Sequence, residues 1–468
     1  MRTVTIVGAS LAGLSAARAL RAQSFDGRIT IVGDERHEPY DRPPLSKEFL
    51  AGKVGLADIA LSTEDDAELD LDWRLGTTAA RLDPTRRAVV LESGEELVSD
   101  GVVLATGARA RTLRGSALVD VHTLRSLDDA VALRADLLTG GPVVVIGAGF
   151  IGAEVASTAR ALGLDVTVVE VLPTPLAGPL GEEMGSHVAA LHEDHGTKLI
   201  TGVGVVGLVG GRGLGESTPG RGGESDAAAA GGHHAGGEGV AGGRAVAGGH
   251  HQGGGRGVAG GHRAGGEGGR RGGHHDGAGV GGGRGAELDR AGVRAVRLAD
   301  GRELPAATVV CGIGATPNIE WLAGSGIEIS AGVRTDARCA TNIPGVVAVG
   351  DCAAAHNPFA GEALRLEHWT NALQQPAIAA ATLLGCPGPT RHVPPYFWSD
   401  QYGVRLQFAG HRRPGDTVEV VDGDPAARSF VAVYRRAGRP VAVLSLNQPK
   451  LFGRLRRQLA TPEPEVVR

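Results

Sequence analysis

Apolar residues along this chain fall into short runs that alternate with longer stretches of helical period. Residues 3–8, TVTIVG, form a continuous apolar run of strand length. Residues 11–22, LAGLSAARALRA, place helix formers at helical spacing. Residues 28–34, RITIVGD, are a second apolar run that ends in an acid. The pattern predicts strand, turn, helix and strand, one βαβ unit with buried parallel strands. It recurs further on. PVVVIGAGFIG at 142–152 is a strand with a glycine turn, AEVASTARALG continues as helix, and DVTVVE at 165–170 closes the unit. Two such units predict two separate nucleotide-binding domains.

Other runs complete the frame. GVVLATGARAR at 101–111 and ATVVCGIGATPN at 307–318 read as buried strands ending in small-residue turns, suited to carry the chain between two domains. VRAVRLADGRELP at 293–305 predicts a hairpin around Asp300–Gly301. Beyond residue 390 the pattern shifts to strand-like alternation, as in FVAVYRRAGRPVAVLSL, which predicts a third, α+β domain. A length of 468 residues agrees with about three domains.

Between 210 and 285 the pattern vanishes. Thirty-four of those residues are glycine, mixed with Ala, Arg, His and Glu. Such a segment cannot bury enough apolar surface to offset the entropy of ordering it, so it reads as a flexible, disordered insertion within the second unit. It carries the pairs His233–His234, His250–His251 and His274–His275. Nothing preorganises a metal site around them, and a solvated insertion is the expected reading.

Composition then narrows the chemistry. Net charge is -5, with no overall basic excess to suggest nucleic acid. No run of 18 apolar residues exists to form a membrane-spanning helix, and the apolar run at residue 3 reads as a first strand rather than a signal peptide. The four cysteines, Cys311, Cys339, Cys352 and Cys386, make no C-x-x-C pair. Their spacing argues against a zinc cluster and a redox-active disulfide, and fits reduced thiols in a cytoplasmic protein.

The second glycine loop is complete. Gly147, Gly149 and Gly152 fit G-x-G-x-x-G directly after a strand and opening a helix. The first glycine permits the tight turn, the second lets backbone approach a pyrophosphate, and the third lets helix and strand pack. The helix N-terminus offers free N–H groups to the phosphates. Glu170, at the end of the next strand, is placed to accept hydrogen bonds from the hydroxyls of an adenine ribose; it would repel a 2′-phosphate, so NADH is favoured over NADPH. The first loop, GASLAG, has the same frame, with Gly8 and Gly13 in place and Asp34 past the next strand. Only Ser10 departs, standing where the middle glycine belongs. Two nucleotide sites suggest a flavoprotein fed by a nicotinamide. In VVAVGDCA a short strand ends at Asp351, where an acid can bind a polyol hydroxyl such as those of a flavin's ribityl chain.

Taken with YDRPPLSKEFL at 40–50, HTLRSLDDA at 122–130, EHWTNALQQ at 367–375 and FWSDQYG at 397–403, these motifs make the chain resemble a known family. It is similar to the FAD-dependent ferredoxin reductases of the putidaredoxin, rhodocoxin and biphenyl dioxygenase reductase type. Rubredoxin reductases and apoptosis-inducing factor share the fold. The motifs run in family order along the whole chain except 210–285.

The resemblance implies an α/β fold of two Rossmann-like domains with an α+β C-terminal domain. The FAD domain would comprise 1–112 and 316–388, the NAD domain 113–315, and the C-terminal domain 389–468. Non-covalent FAD would lie on Gly8, Ser10, Ala12 and Gly13, with Asp34 on the adenosine ribose and Glu35 the weaker candidate. Arg125, Asp351 and Trp369 would also meet FAD, and the helix after Trp369 would stabilise negative charge on the reduced ring. Gly147, Gly149, Ile151, Gly152, Glu170 and Gly312 would hold NADH. Lys47, paired with Glu154, would stand near the reactive flavin nitrogen as the catalytic pair. The implied reaction passes electrons from NADH through FAD to a small [2Fe-2S] ferredoxin that serves an oxygenase. Another acceptor (rubredoxin, a quinone or monodehydroascorbate) and a redox-sensing role like that of apoptosis-inducing factor stay open. Arg412–Arg413, Arg435–Arg436 and RLRRQ at 454–458 are the expected basic docking face for an acidic ferredoxin.

Overall fold

The computed structural model describes residues 1–113, 118–210, 292–387 and 393–460. Apart from Gly210, the glycine-rich segment and its histidine pairs lie outside the described residues.

The first apolar runs form a five-stranded parallel sheet, ordered Val346–Ala348, Gly101–Leu104, Thr3–Val7, Arg28–Val32 and Leu71–Arg74. Apart from the half-buried edge strand Leu71–Arg74, its strands are buried on both faces, which is why they read as unbroken apolar runs. Helices Leu11–Ala22 and Trp369–Leu383 pack together against one face, through Ala16, Ala17, Leu20, Ala379 and Ala380. These small side chains let the helices approach closely. A second five-stranded parallel sheet has the order Lys198–Ile200, Val166–Val169, Val143–Ile146, Thr308–Cys311 and Val121–His122. Each of the two predicted βαβ units lies at the centre of one of these sheets.

The chain crosses between the sheets on a two-stranded antiparallel ribbon, Ala108–Ala110 against Ala315–Pro317. Both strands come from the small-residue turns singled out in the sequence. The hairpin expected at Asp300–Gly301 joins Val293–Leu298 to Glu303–Pro305. Its first strand also pairs with Val205–Gly210, so the strands on either side of the glycine-rich segment in the sequence are neighbours in one sheet.

Residues 396–446 build a five-stranded antiparallel sheet, closed by helix Pro449–Leu459. Its aromatic core, including Phe397, Phe408, Phe430 and Tyr434, continues into Phe150 and Met184 of the second unit. The third layer is thus packed directly on the helix that follows the second glycine loop. None of the described helices is long and apolar enough to cross a membrane.

Candidate functional site

Each glycine loop is shaped by steric necessity. Gly8 has φ +122°, and a Cβ there would lie 2.0 Å from the Ala105 carbonyl oxygen. A Cβ on Gly13 would lie 1.8 Å from the Gly8 oxygen. The second loop repeats this arrangement. Gly147 has φ +97° and faces the Gly312 oxygen, while Gly152 sits on the Gly147 oxygen, 2.0 Å from its would-be Cβ. Gly149 differs in having open space, with nothing nearer to its would-be Cβ than the Gly312 oxygen at 3.9 Å. That space belongs to a cavity.

Two cavities lie over the two loops. The first, of about 390 Å³, is lined by Gly8, Ser10, Ala12, Asp34, Arg125, Asp351 and Trp369 among others. The second, of about 490 Å³, is lined by Gly147, Gly149, Ile151, Glu170 and Gly312 among others. Gly13 and Gly152 lie beneath them as packing residues. Ala110, Leu124, Arg125, Ile151 and Glu367 line both cavities and form their common wall. The structure therefore brings the two sets of predicted residues into two adjoining spaces.

Lys47 and Glu154 meet at this junction. Lys47 Nζ lies 2.8 Å from Glu154 Oε2, with the side chains 9 % and 3 % exposed. Lys47 stands behind Ser46 and Glu154, which themselves line the first cavity. The pair is held tightly. Ser46 Oγ donates to Glu154 Oε2 at 2.6 Å, and Ser399 Oγ and the Asp400 amide donate to Oε1 at 2.7 and 3.3 Å. Thr158 Oγ1 donates to the Ser46 carbonyl, tying the same two segments again. Removing one partner of such a buried pair strands the other's charge, a cost of about 3–5 kcal/mol. Asp400 faces Lys47, Glu48, Glu154 and Arg405; burial, Glu154 and Glu48 raise its carboxyl above the usual range against the pull of Arg405 and Lys47.

Several details were not legible in the sequence. Arg42, inside the YDRPPLSK motif, reaches into the first cavity and donates from Nε to Ser10 Oγ at 3.3 Å, from Nη1 to the Arg125 carbonyl at 2.6 Å and from Nη2 to Glu35 at 2.5 Å. Burial opposes its charge, but Tyr40 and Glu35 outweigh that and raise its pKa. Glu35 also accepts from the Tyr40 hydroxyl. Asp34 is exposed and accepts from the Glu35 amide, so the weaker candidate is the more deeply engaged of the two. Arg125 and Asp351, each expected to meet a flavin, bond to one another at 2.6 Å. Trp369 is the first residue of its helix, and its indole donates to Asp41 at 2.8 Å. Glu170 ties its own loop, accepting from the Ala148 amide at 2.8 Å and the Leu172 amide at 2.9 Å.

Three of the four thiols are buried away from reaction. Cys311, Cys339 and Cys352 are buried and Cys386 is exposed, and all four are free. Burial pushes Cys311 up to about 11 and Cys339 to about 12, and raises Cys352 as well. The described residues contain no His, Cys, Asp or Glu cluster able to hold a metal ion.

Part of the expected docking charge is paired within the fold. Arg413 is bonded to Glu362, Arg436 to Asp416, and Arg412 to the Gly178 carbonyl; Arg435 lies 3.9 Å from Glu419. In the expected RLRRQ stretch, Arg454 and Arg457 are exposed on the helix Pro449–Leu459, with Lys450 exposed at helical spacing from them.

Comparison with known proteins agrees with this architecture. Residues 2–228 and 280–376 match the family of pyridine nucleotide-disulphide oxidoreductases, and 396–465 match the reductase C-terminal family. The chain belongs to this reductase family. It is 34 % identical over 463 residues to the biphenyl dioxygenase system ferredoxin–NAD(+) reductase component of Paraburkholderia xenovorans, covering 98 % of this chain and 93 % of that one. It is 32 % identical over 469 residues to rhodocoxin reductase of Rhodococcus erythropolis, covering 99 % and 90 %. Putidaredoxin reductase in its covalent complex with putidaredoxin superposes with a TM-score of 0.79 at 29 % identity, covering 98 % and 93 %.

Proposed function

We propose that the chain is an NADH-dependent ferredoxin reductase, with FAD in the first cavity and NADH in the second. Its acceptor is a small [2Fe-2S] ferredoxin that in turn serves an oxygenase. The observation that carries this reading is the common wall of the two cavities, set beside the buried Lys47–Glu154 pair. One of the named relatives, the biphenyl dioxygenase component, is a ferredoxin–NAD(+) reductase of an oxygenase system, which supports the acceptor.

The first cavity fits a dinucleotide with a sugar-alcohol segment. Gly8 and Gly13 leave no room for side chains on the loop, the helix Leu11–Ala22 opens its N-terminus there, and Arg42 brings a cation to Ser10. Asp34 or Glu35 would hold the adenosine ribose, Asp351 the ribityl chain, and Arg125 and Trp369 the flavin side. FAD, when bound, takes hydride from NADH as an electron pair and returns electrons singly to an iron–sulfur cluster. Lys47, ion-paired with Glu154 behind the cavity lining, would stand close to the reacting ring. Ile151 and the other wall residues would border both rings. The N-terminus of Trp369–Leu383 points partial positive charge at the site.

Four free cysteines, three of them buried, make a disulfide relay unnecessary to the reading and support a cytoplasmic setting. Glu170 at the adenosine end, followed by the uncharged stretch VLPTPL, supports NADH over NADPH. We take residues 1–112 with 316–388, 113–315 and 389–468 as the FAD, NAD and C-terminal domains, and the exposed cations of Pro449–Leu459 as part of the ferredoxin-facing surface. Titrating the purified protein with NADH and then NADPH tests the reading. Flavin bands bleached by NADH, with cytochrome c reduced only when ferredoxin is added, are expected. A colourless protein that binds no added FAD would overturn it.

A further inference from the structure

The FWSDQYG motif is distinctive in the sequence, yet the function above gives it no part. In the structure it is strand Tyr396–Gln401 and the turn that follows. Phe397 meets Phe150 of the second loop's helix with ring centroids 4.8 Å apart. Tyr402 takes the Ser157 hydroxyl through its amide at 2.7 Å, and its own hydroxyl meets His192 and Thr197 at 2.9 Å each. Between these anchors, Ser399 and the Asp400 amide reach Glu154.

The arrangement around Glu154 has a definite polarity. A carboxylate offers about four lone-pair sites. Oε2 receives Ser46 and Lys47, both from the PPLSK segment. Oε1 receives Ser399 and the Asp400 amide, both from the C-terminal strand. One oxygen is thus given to the lysine and the other to the third domain. The direction of the Ser399 contact is also set. Gln401 Nε2 donates to Ser399 Oγ at 3.1 Å, and a serine hydroxyl has a single proton. With its acceptor side taken by Gln401, Ser399 donates that proton to Glu154. Ser399 and Gln401 are 0 % and 1 % exposed, so water does not substitute for either.

We infer that Ser399 is a positioning residue for hydride transfer: through it the C-terminal domain fixes the orientation in which Glu154 presents Oε2 to Lys47. The inference rests on the Lys47–Glu154 role proposed above. It gives the third domain a share in the NADH half-reaction as well as in meeting an electron acceptor.

The test uses the full-length, FAD-loaded chain with Ser399→Ala and Ser399→Thr. Ser399→Ala is expected to slow flavin reduction by NADH in a single turnover by about tenfold, the effect of losing one charge-assisted hydrogen bond at the reacting geometry. FAD content and NAD+ affinity stay as in the wild type, and Ser399→Thr restores the rate. In a Glu154→Gln background Ser399→Ala adds nothing, whereas a merely structural role would add its full effect. The infrared carboxylate band that Glu154→Gln removes is expected to shift in Ser399→Ala, with or without flavin. If Ser399→Ala does not fold, Gln401→Leu, which empties the acceptor side of Ser399 and unpins its hydroxyl, is expected to slow the same step. Wild-type reduction rates in the folded variant, or an undiminished effect in the Glu154→Gln background, would overturn the inference. A wild-type chain that binds FAD but takes no hydride from NADH would overturn the proposed function instead.

Discussion

The two glycine loops are the same device built twice, and two of the positions at which they differ carry the contrast. Gly8 and Gly147 each donate a backbone bond of 2.7 Å to the neighbouring strand, at Val32 and Val169. Gly13 and Gly152 each lie on the oxygen of the first glycine. The middle position then splits, Ser10 against Gly149. So does the strand end. Strand register sets Val7 opposite Val32 and Ile146 opposite Val169, so the residues that follow correspond: Gly33 in the first unit, Glu170 in the second. A Cβ on Gly33 would lie 2.4 Å from the Ala9 Cβ, so no side chain fits there. Glu170 instead bonds the Ala148 amide, the position matching Ala9. The second loop gets its polar partner from its own unit. The first gets Arg42 from the distant YDRPPLSK segment, through Ser10. A loop built for a permanently held dinucleotide can recruit outlying segments to enclose it; one that must exchange its ligand keeps its contacts local.

This contrast is open to direct attack. The largest effect is expected from Gly8→Val, which forces a side chain onto the Ala105 carbonyl at a backbone angle that disfavours it. The purified protein should carry no flavin absorbance, and a yellow variant would refute the steric account. Next comes Gly149→Val, whose side chain enters open cavity rather than backbone. It should fold and retain FAD while NADH affinity falls about 100-fold, measured by anaerobic titration of flavin bleaching. Glu170→Ala should weaken NADH about tenfold and narrow the preference over NADPH, because it removes the brace of the loop as well as the charge. Comparison of the two dissociation constants checks both parts. Ser10→Gly should have the smallest effect, a few-fold loss of FAD affinity, since the contact it removes is a single long bond at 3.3 Å. Measured flavin release that matches wild type would show Arg42 needs no help from Ser10.

How much of this was legible from sequence varies by feature. The parallel strands were, because burial on both faces leaves unbroken apolar runs such as VVVI at 143–146. The glycine loops were, because their spacing follows from backbone collisions within a few residues. Pairing across long separations was not. Nothing in RSLDD or VGDCA says that Arg125 and Asp351 bond to each other, or that Ser399 reaches Glu154 from a different domain. The partners of the arginine pairs were hidden for the same reason: Arg413 finds Glu362 and Arg436 finds Asp416 only in three dimensions. Strand-end acids gave a mixed result. Glu170 falls in register beside the loop, whereas Asp34 lies one residue past the matching position and is exposed.

The crossing ribbon of Ala108–Ala110 and Ala315–Pro317 has a mechanical consequence. Because the chain enters and leaves the second unit side by side, its covalent links to the first lie at one narrow place. The PPLSK segment adds a second hold there, through Lys47 and Ser46 on Glu154. The C-terminal sheet adds a third by gripping both sides, Phe397 against Phe150 on one unit and the Tyr396 carbonyl against Thr370 on the other. The frame thus has three legs around the two cavities. On the proposed function, such a frame would suit an enzyme whose two reacting rings must return to the same separation in every cycle.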